Sequence, residues 1–141
     1  MDNFEREFYD DFKVGMAKFL IVDDFIFLSG MSASNGSSDA AIPDTIKEQI
    51  RAVAENLHRT FKLAAWTEEP LTRMVKFTIY VKKGAAPPHY VMRQFIEACQ
   101  ELAPKLIDYP STGTCVVVEQ LEHEEHLLVV DAIGAIAEGT D

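Results

Sequence analysis

Long apolar runs are missing from this sequence, and its opening segment has no signal-peptide character. The longest apolar stretch is far shorter than the roughly 20 residues that a membrane helix needs. Residues 1–11 are polar and acidic, whereas a signal peptide combines a positive start with an apolar core. We therefore expect a soluble, cytoplasmic protein with no membrane partner.

Cysteine is scarce too, with only Cys99 and Cys115 in the chain. Cys99 falls in a helical pattern and Cys115 in a strand-like run, and both have apolar neighbours. We expect buried free thiols rather than a disulfide. A chain of 141 residues with 48% hydrophobic residues can fold as one domain without a disulfide or a structural metal.

Basic residues are few and unevenly placed. The chain has 23 acids against 13 bases, and its formal net charge is −10. Arginine is absent after Arg93, and Lys105 is the only lysine beyond that point. Only Lys82 and Lys83 form even a small cluster, whereas nucleic-acid binding needs clustered Lys and Arg, so we expect no nucleic-acid partner. No phosphate-binding glycine loop is present either, and we expect no cofactor.

What the sequence does contain is clear hydrophobic periodicity. Spacings of three and four residues predict a helix over 43–63 and a second one between the break at 84–88 and Pro104. Thr45 and Glu48 have capping-box spacing at the start of the first helix. Alternating or β-branched runs predict strands at 18–22, 25–28, 73–82, 114–118 and 127–130.

These elements divide the chain into an N-terminal arm, 1–14, and a single domain, 15–141. The aromatics of the arm are spaced four apart, which permits a short docking helix as readily as a loose segment. In the domain the order is β-β-α-β-α-β-β. This order predicts an α+β fold in which a mixed β-sheet is covered on one face by two helices.

The last two predicted strands are expected to form a hairpin, because the polar segment 121–126 between them is turn-like. Both are unusually apolar for an antiparallel sheet with one wet face, at 116–118 and 127–130. Such strands are usually buried on both faces. Since only two helices are available as cover, we expect another subunit to cover the second face, and therefore a homo-oligomer.

Five local motifs in the same order resemble the RidA/YjgF family, over roughly residues 15–137. The first is FIFLSG at 25–30, a strand that ends in Ser-Gly, and the second is Gln49 followed seven residues later by Asn56-Leu57. The others are VKFTIYV at 75–81, Pro110 with Thr114-Cys115-Val116, and Asp131-Ala132-Ile133. The resemblance implies a chorismate-mutase-like homotrimer whose sheets face inward, with a small-molecule pocket at each subunit interface.

The same resemblance implies an activity and its alternatives. Well-studied members hydrolyse reactive imines and enamines, and a related branch deaminates aminomuconate-type intermediates. Other members are described as ribonucleases or translation inhibitors, which the acidic charge of this chain disfavours. We expect a divergent hydrolase of this deaminase type, and keep as an alternative a non-catalytic ligand-binding or regulatory trimer.

The polar residues that the family uses in its pocket are replaced here. Gly113 stands where the family has the arginine that grips a substrate carboxylate, and Val129 where it has a water-positioning glutamate. Met16 replaces an aromatic residue, and Met31 replaces a frequent glutamine. We therefore expect a pocket for a less charged ligand. By resemblance the pocket residues are Met16, Ser29, Gly30, Met31, Gly113, Thr114, Cys115 and Val129.

Two acids inside apolar strands, Asp131 and Glu119, are the candidate catalytic residues. Burial favours the protonated form of an acid, so either could act as a general acid or base and position water. The plainer alternative is an acid hydrogen-bonded at a strand edge or interface. Cys115 lacks a visible base and is expected to be a packed thiol. His123 and His126 are expected in a solvated turn, with no metal bound.

Overall fold

The computed structural model describes residues 17–34, 41–64 and 67–136, and the backbone of residues 4–8. Its strands form one six-stranded sheet in the order β1-β2-β3-β6-β4-β5. Neighbouring strands are antiparallel except β4 and β5, which are parallel. The strands are β1 (Phe4–Phe8), β2 (Ala17–Val22), β3 (Phe25–Met31), β4 (Met74–Lys82), β5 (Thr112–Val118) and β6 (Leu128–Ala135).

Two helices, α1 (Ile46–Ala64) and α2 (Pro88–Leu102), cover one face of the sheet. Short 3₁₀ turns follow at Pro70–Arg73 and Pro104–Ile107. The predicted α+β class is therefore confirmed. Within the arm, Phe4–Phe8 pairs with β2 as a strand, so the docking helix that its aromatic spacing permitted is wrong. None of the described helices is long and apolar enough to cross a membrane.

The first helix begins where its capping box predicts. The Thr45 Oγ1 accepts a hydrogen bond from the Glu48 backbone N–H at 3.2 Å and donates one to Glu48 Oε1 at 2.7 Å. The apolar stripe of α1 is fully buried against the sheet and consists of Ile50, Val53, Leu57 and Phe61. This stripe anchors α1 across β3 and β6.

The predicted hairpin between the last two strands is wrong, because β4 lies between β5 and β6. The segment β4-α2-β5 is a βαβ unit, whose crossover helix makes its two strands parallel. The chain then passes the end of β4, where Lys83 N–H donates to Val118 O at 2.8 Å and Lys82 N–H to Leu127 O at 2.9 Å. It returns as β6, antiparallel to β4 and β3, so β6 is a central strand and its apolar character follows.

The two faces of the sheet differ sharply in cover. On the helix side, Ile26, Ile79 and Val130 have no exposed surface. On the other side, which we call the open face, Phe25 is 48% and Phe27 43% exposed. In the single chain this apolar open face has no cover among the described residues, and the oligomer expected from the apolar strands stays a prediction.

Candidate functional site

A tyrosine and a carboxylate meet at the centre of the open face. Tyr80 on β4 lies opposite Val129 on β6, and Asp131 lies opposite Thr78. The Tyr80 hydroxyl donates a hydrogen bond of 3.2 Å to Asp131 Oδ2. Both side chains are half-buried in the single chain. The sheet therefore fixes an acid and a phenol side by side on a surface that is otherwise rich in apolar side chains.

The electrostatics of this pair assign each member a role. The negative charge of Asp131 raises the pKa of Tyr80, with further contributions from desolvation and from the hydrogen bond. Tyr80 is therefore held protonated as a donor, and Asp131 acts as its acceptor. The second oxygen of the Asp131 carboxylate takes no part in this bond and can accept a hydrogen bond from water.

Three further predicted site residues join this pair along a row across the sheet. Val129 and Asp131 share the open face of β6, and Thr114 on β5 pairs with Thr78 on β4. A Cβ on Gly30 would stand 2.6 Å from Val129 Cγ1, so glycine is needed for this close approach between β3 and β6. The structure therefore brings Gly30, Thr114, Val129 and Asp131 together.

Ser29 lies at the irregularity in β3, between Leu28 and Met31. Its hydroxyl donates a 2.7 Å hydrogen bond to the Ala17 carbonyl of β2. This bond occupies its proton, and the side chain ties the strand ends together. Ser29 therefore supports the shape of the site at Gly30.

The other predicted pocket residues face the helices. Gly113 pairs with Phe77 and Cys115 with Ile79, both on the covered face. The place where a Gly113 Cβ would stand is filled by the Phe77 ring, which is itself buried and packs on Phe95 at 4.9 Å between centroids. No side chain fits at position 113 without moving that ring.

A cavity beside this position is too small for a substrate. It has a volume of about 70 Å³ and is lined by residues of β4, α2 and the approach to β5. Ligand pockets usually measure about 300–1,000 Å³. Burial also raises the pKa of the Cys115 thiol, which therefore stays protonated and is a poor nucleophile. Within the described residues both cysteines are free, as predicted.

Glu119 differs from its prediction as an acid inside a strand. It follows the end of β5, its side chain is 83% exposed, and its Oε1 lies 3.4 Å from Lys83 Nζ. Glu119 follows Val118, which pairs with Lys82 on β4. Asp131 pairs with Thr78, which lies four positions away from Lys82 along the same strand. At about 3.3 Å per residue this separation is about 13 Å. Met16 lies outside the described residues.

The predicted solvated turn is wrong for His126, which is buried. Its ring lies 4.8 Å from that of His123, and burial lowers its pKa. Gln49 of α1 fixes this loop, because its Nε2 donates to Glu125 O at 3.0 Å and its Oε1 accepts from Leu127 N at 2.8 Å. In the described part of the chain, no three His, Cys, Asp or Glu side chains are placed to hold a metal ion.

Met31, one of the predicted pocket residues, lies in a second concave region, whose other lining residues the sequence did not indicate. It is buried and lines a groove of about 500 Å³ between α1 and the strands β2 and β3. Sequence reasoning also missed Tyr80 as the hydrogen-bond partner of Asp131. In both cases the signal is the pairing of distant segments.

Comparison with known proteins shows which solved structures this fold resembles. Neither a protein-family model nor a curated protein sequence matches the chain. Solved structures do: a YjgF-family protein from Neisseria meningitidis has a TM-score of 0.70 at 12% identity, over 97% of this chain and 98% of its own. A YjgF/YER057c/UK114 family member from Mycobacterium tuberculosis has a TM-score of 0.64 at 19% identity, over 87% and 88%.

The chain therefore has the fold of the YjgF family. E. coli TdcF, solved with bound serine, is another similar structure, with a TM-score of 0.65 at 17% identity over 86% of this chain and 88% of its own.

Proposed function

We propose that this chain is a divergent, homotrimeric RidA/YjgF-type protein that hydrolyses a small, weakly charged imine, enamine or aminomuconate-type compound. The observation that carries the proposal is the Tyr80–Asp131 pair on the open face of a YjgF-type sheet. The pair offers an acid–base group, while the Gly113 position holds no carboxylate-binding side chain.

Assembly through the open face would complete the site. Phe25, Phe27 and Val116 are 48%, 43% and 38% exposed on this face in the single chain. Contiguous exposed apolar surface on a soluble protein marks an interaction surface. In a trimer these side chains would become buried, and the Tyr80–Asp131 pair would lie in a partly dry cleft, where its electrostatic effect is larger.

The proposed chemistry uses water as the nucleophile. Asp131 takes a proton from water as the water oxygen adds to the carbon of the C=N bond, and Asp131 then passes this proton to the nitrogen. The resulting carbinolamine then loses the amine or ammonia and leaves a carbonyl group. Tyr80 holds Asp131 in place, and the backbone around Gly30 and Thr114 orients the substrate.

The proposed substrate preference follows because Gly113, which stands where the family has its carboxylate-binding arginine, has no side chain and lies on the helix side of the sheet, so it supplies no cation to the Tyr80–Asp131 pair. Losing a buried charge-assisted pair to a carboxylate costs about 2–5 kcal/mol. An imino acid should therefore be a poor substrate, and an uncharged imine of similar size a better one. The apolar side chain of Val129 supports the same preference.

The experiment gives purified protein two substrates, an uncharged imine and the charged enamine 2-aminoacrylate. We expect an uncharged imine to be hydrolysed faster than its spontaneous rate, and 2-aminoacrylate to show far less acceleration. Asp131→Asn should lower the rate on the uncharged imine by about 100-fold, as typical for loss of a general base. The exposed Glu119→Gln is the matched control. Rapid turnover of 2-aminoacrylate, or an unchanged rate in Asp131→Asn, would contradict the proposal.

The alternative is a trimer that binds a small molecule without converting it. The Tyr80 hydroxyl and Asp131 satisfy each other in the single chain, which also suits a structural pair. TdcF with its bound serine supports ligand binding in this fold. Saturable binding of an imine analogue without turnover of any imine would favour this function. Strongly salt-dependent RNA binding would instead favour the ribonuclease or translation-inhibitor class.

A further inference from the structure

The groove between α1 and the strands β2 and β3 has a charge opposite to that of the chain. Among the described residues, its lining includes Lys18, Arg59 and Lys62 and no acid, in a protein with 23 acids and 13 bases. Lys18 and Lys62 make no ion pair or hydrogen bond with any described residue. Three cations therefore converge on one concave surface with little internal neutralisation.

The floor of this groove is rigid and suited to a ligand. Met31, Asn56 and Thr60 are buried there. Asn56 Nδ2 donates to the Ser32 carbonyl at 2.8 Å, and the Thr60 hydroxyl donates to the Asn56 carbonyl at 2.8 Å. The bonds fix the floor between α1 and the end of β3. A fixed floor lowers the ordering cost of binding a ligand.

Arg59 is oriented at the rim by the same framework. Its guanidinium donates a hydrogen bond to Asn56 Oδ1. One edge of the planar group is held in this way, and its other donors are available to an anion. Burial, Lys62 and Arg59 all lower the pKa of His58, which agrees with a positive potential along this part of α1.

The size and lining of the groove define the ligand class. Its volume of about 500 Å³ lies within the range of small-molecule sites, about 300–1,000 Å³. Met31 and Leu63 supply apolar wall beside the cations. We propose that this groove binds a small organic anion, with a carboxylate or phosphate head between Arg59, Lys62 and Lys18 and a short apolar body on Met31 and Leu63.

This site goes beyond the proposed function and does not depend on it. Neither Tyr80 nor Asp131 lines the groove, which is formed by α1 with β2 and β3. Anion binding here can therefore be measured whether or not the open face hydrolyses an imine.

The test is calorimetric titration of the purified full chain with four six-carbon probes. Hexanoate and hexyl phosphate carry the two anionic head groups. The controls, 1-hexanol and hexylamine, have the same apolar body but no negative charge. We expect both anions to bind saturably and the alcohol to bind about ten-fold more weakly, because charge-assisted bonds are lost. The tighter of the two anions identifies the head group. Equal binding of hexanol and hexanoate overturns the proposal, and so does the absence of saturable anion binding.

Charge variants locate the site. Arg59→Gln and Lys62→Gln should each weaken anion binding by about five-fold or more, and binding should weaken as salt is raised. Arg51→Gln is the matched control, since Arg51 is exposed on the same helix, does not line the groove and lies 3.9 Å from Glu101. If Arg51→Gln weakens binding as much as the other two, the anions bind only by general charge and the site is overturned.

Discussion

The two faces of the sheet are built from the same strands and have opposite surroundings. In β6, Leu128, Val130 and Ala132 face the helices and are buried, whereas Val129 and Asp131 alternate with them on the open face and are half-buried. The covered face is buried within one chain along β3, β6 and β4. The open face combines exposed phenylalanines with an acid–phenol pair, and it is the surface that the proposed trimer would bury.

The largest expected effect that tests this comparison is on stability. Ile79→Ala removes a fully buried side chain from the covered face and should cost about 3 kcal/mol in unfolding free energy. Val129→Ala, on the open face of the neighbouring strand, should cost less than about 1 kcal/mol under conditions in which the chain is monomeric. Urea denaturation measures both. Equal costs would mean that the two faces are equally packed.

A second effect concerns Gly113, where the covered face has no room. Gly113→Arg should cost about 2 kcal/mol, because the new side chain displaces the buried Phe77 ring. The neighbouring Thr112→Arg is the control, since Thr112 is exposed and loses only a 2.9 Å bond to Val75 O. A Gly113→Arg protein as stable as Thr112→Arg would show that the ring moves easily.

Assembly provides the third test, with a smaller effect on the fold. Phe27→Lys places a charge on the open face and should dissociate the proposed trimer, while costing the monomer less than about 1 kcal/mol. Ile107→Lys is the control, because Ile107 is 72% exposed in the turn after α2. Light scattering coupled to size exclusion gives the mass. If Phe27→Lys leaves the mass of an oligomer unchanged, the open face is not the interface.

The smallest expected effect is on the titration of Tyr80. Its pKa is raised above 10.0, so its phenol should ionise at higher pH than a free tyrosine. Asp131→Asn removes the main cause and should lower this pKa towards 10.0. Difference absorbance against Tyr80→Phe isolates this residue from the other tyrosines. Because the folded pKa of Tyr80 lies above its unfolded value, the stability linked to it is fully present below 10.0 and is lost as the pH rises through the window between the two values, and this loss should be smaller in Asp131→Asn. An unchanged titration in Asp131→Asn would separate the two side chains.

Local patterns in the sequence predict much of this fold. The stripe of α1, the capping box at Thr45 and the alternation of β4 each lie within one element, so periodicity alone predicts them. The hairpin prediction failed because it assumed that consecutive strands pair. A polar segment such as 121–126 looks the same whether it joins two neighbours or passes the end of a third strand.

The candidate site was predictable only in part for a related reason. Asp131 was identified as an acid in an apolar strand, but its partner Tyr80 lies 51 positions away and is found only from cross-strand register. The groove likewise needs Lys18 on β2 beside Arg59 and Lys62 on α1. Charge spacing along the chain carries no information about such distant neighbours.

The central place of β6 has a consequence for synthesis of the chain. During translation, β3 and β4 leave the ribosome well before β6, the strand that both of them bind. Until Leu128–Ala135 emerges, each of these strands has an unpaired edge and the sheet cannot close. The sheet can therefore close only after Leu128–Ala135 has left the ribosome, and a product cut short before Leu128 exposes the strand edges through which chains aggregate.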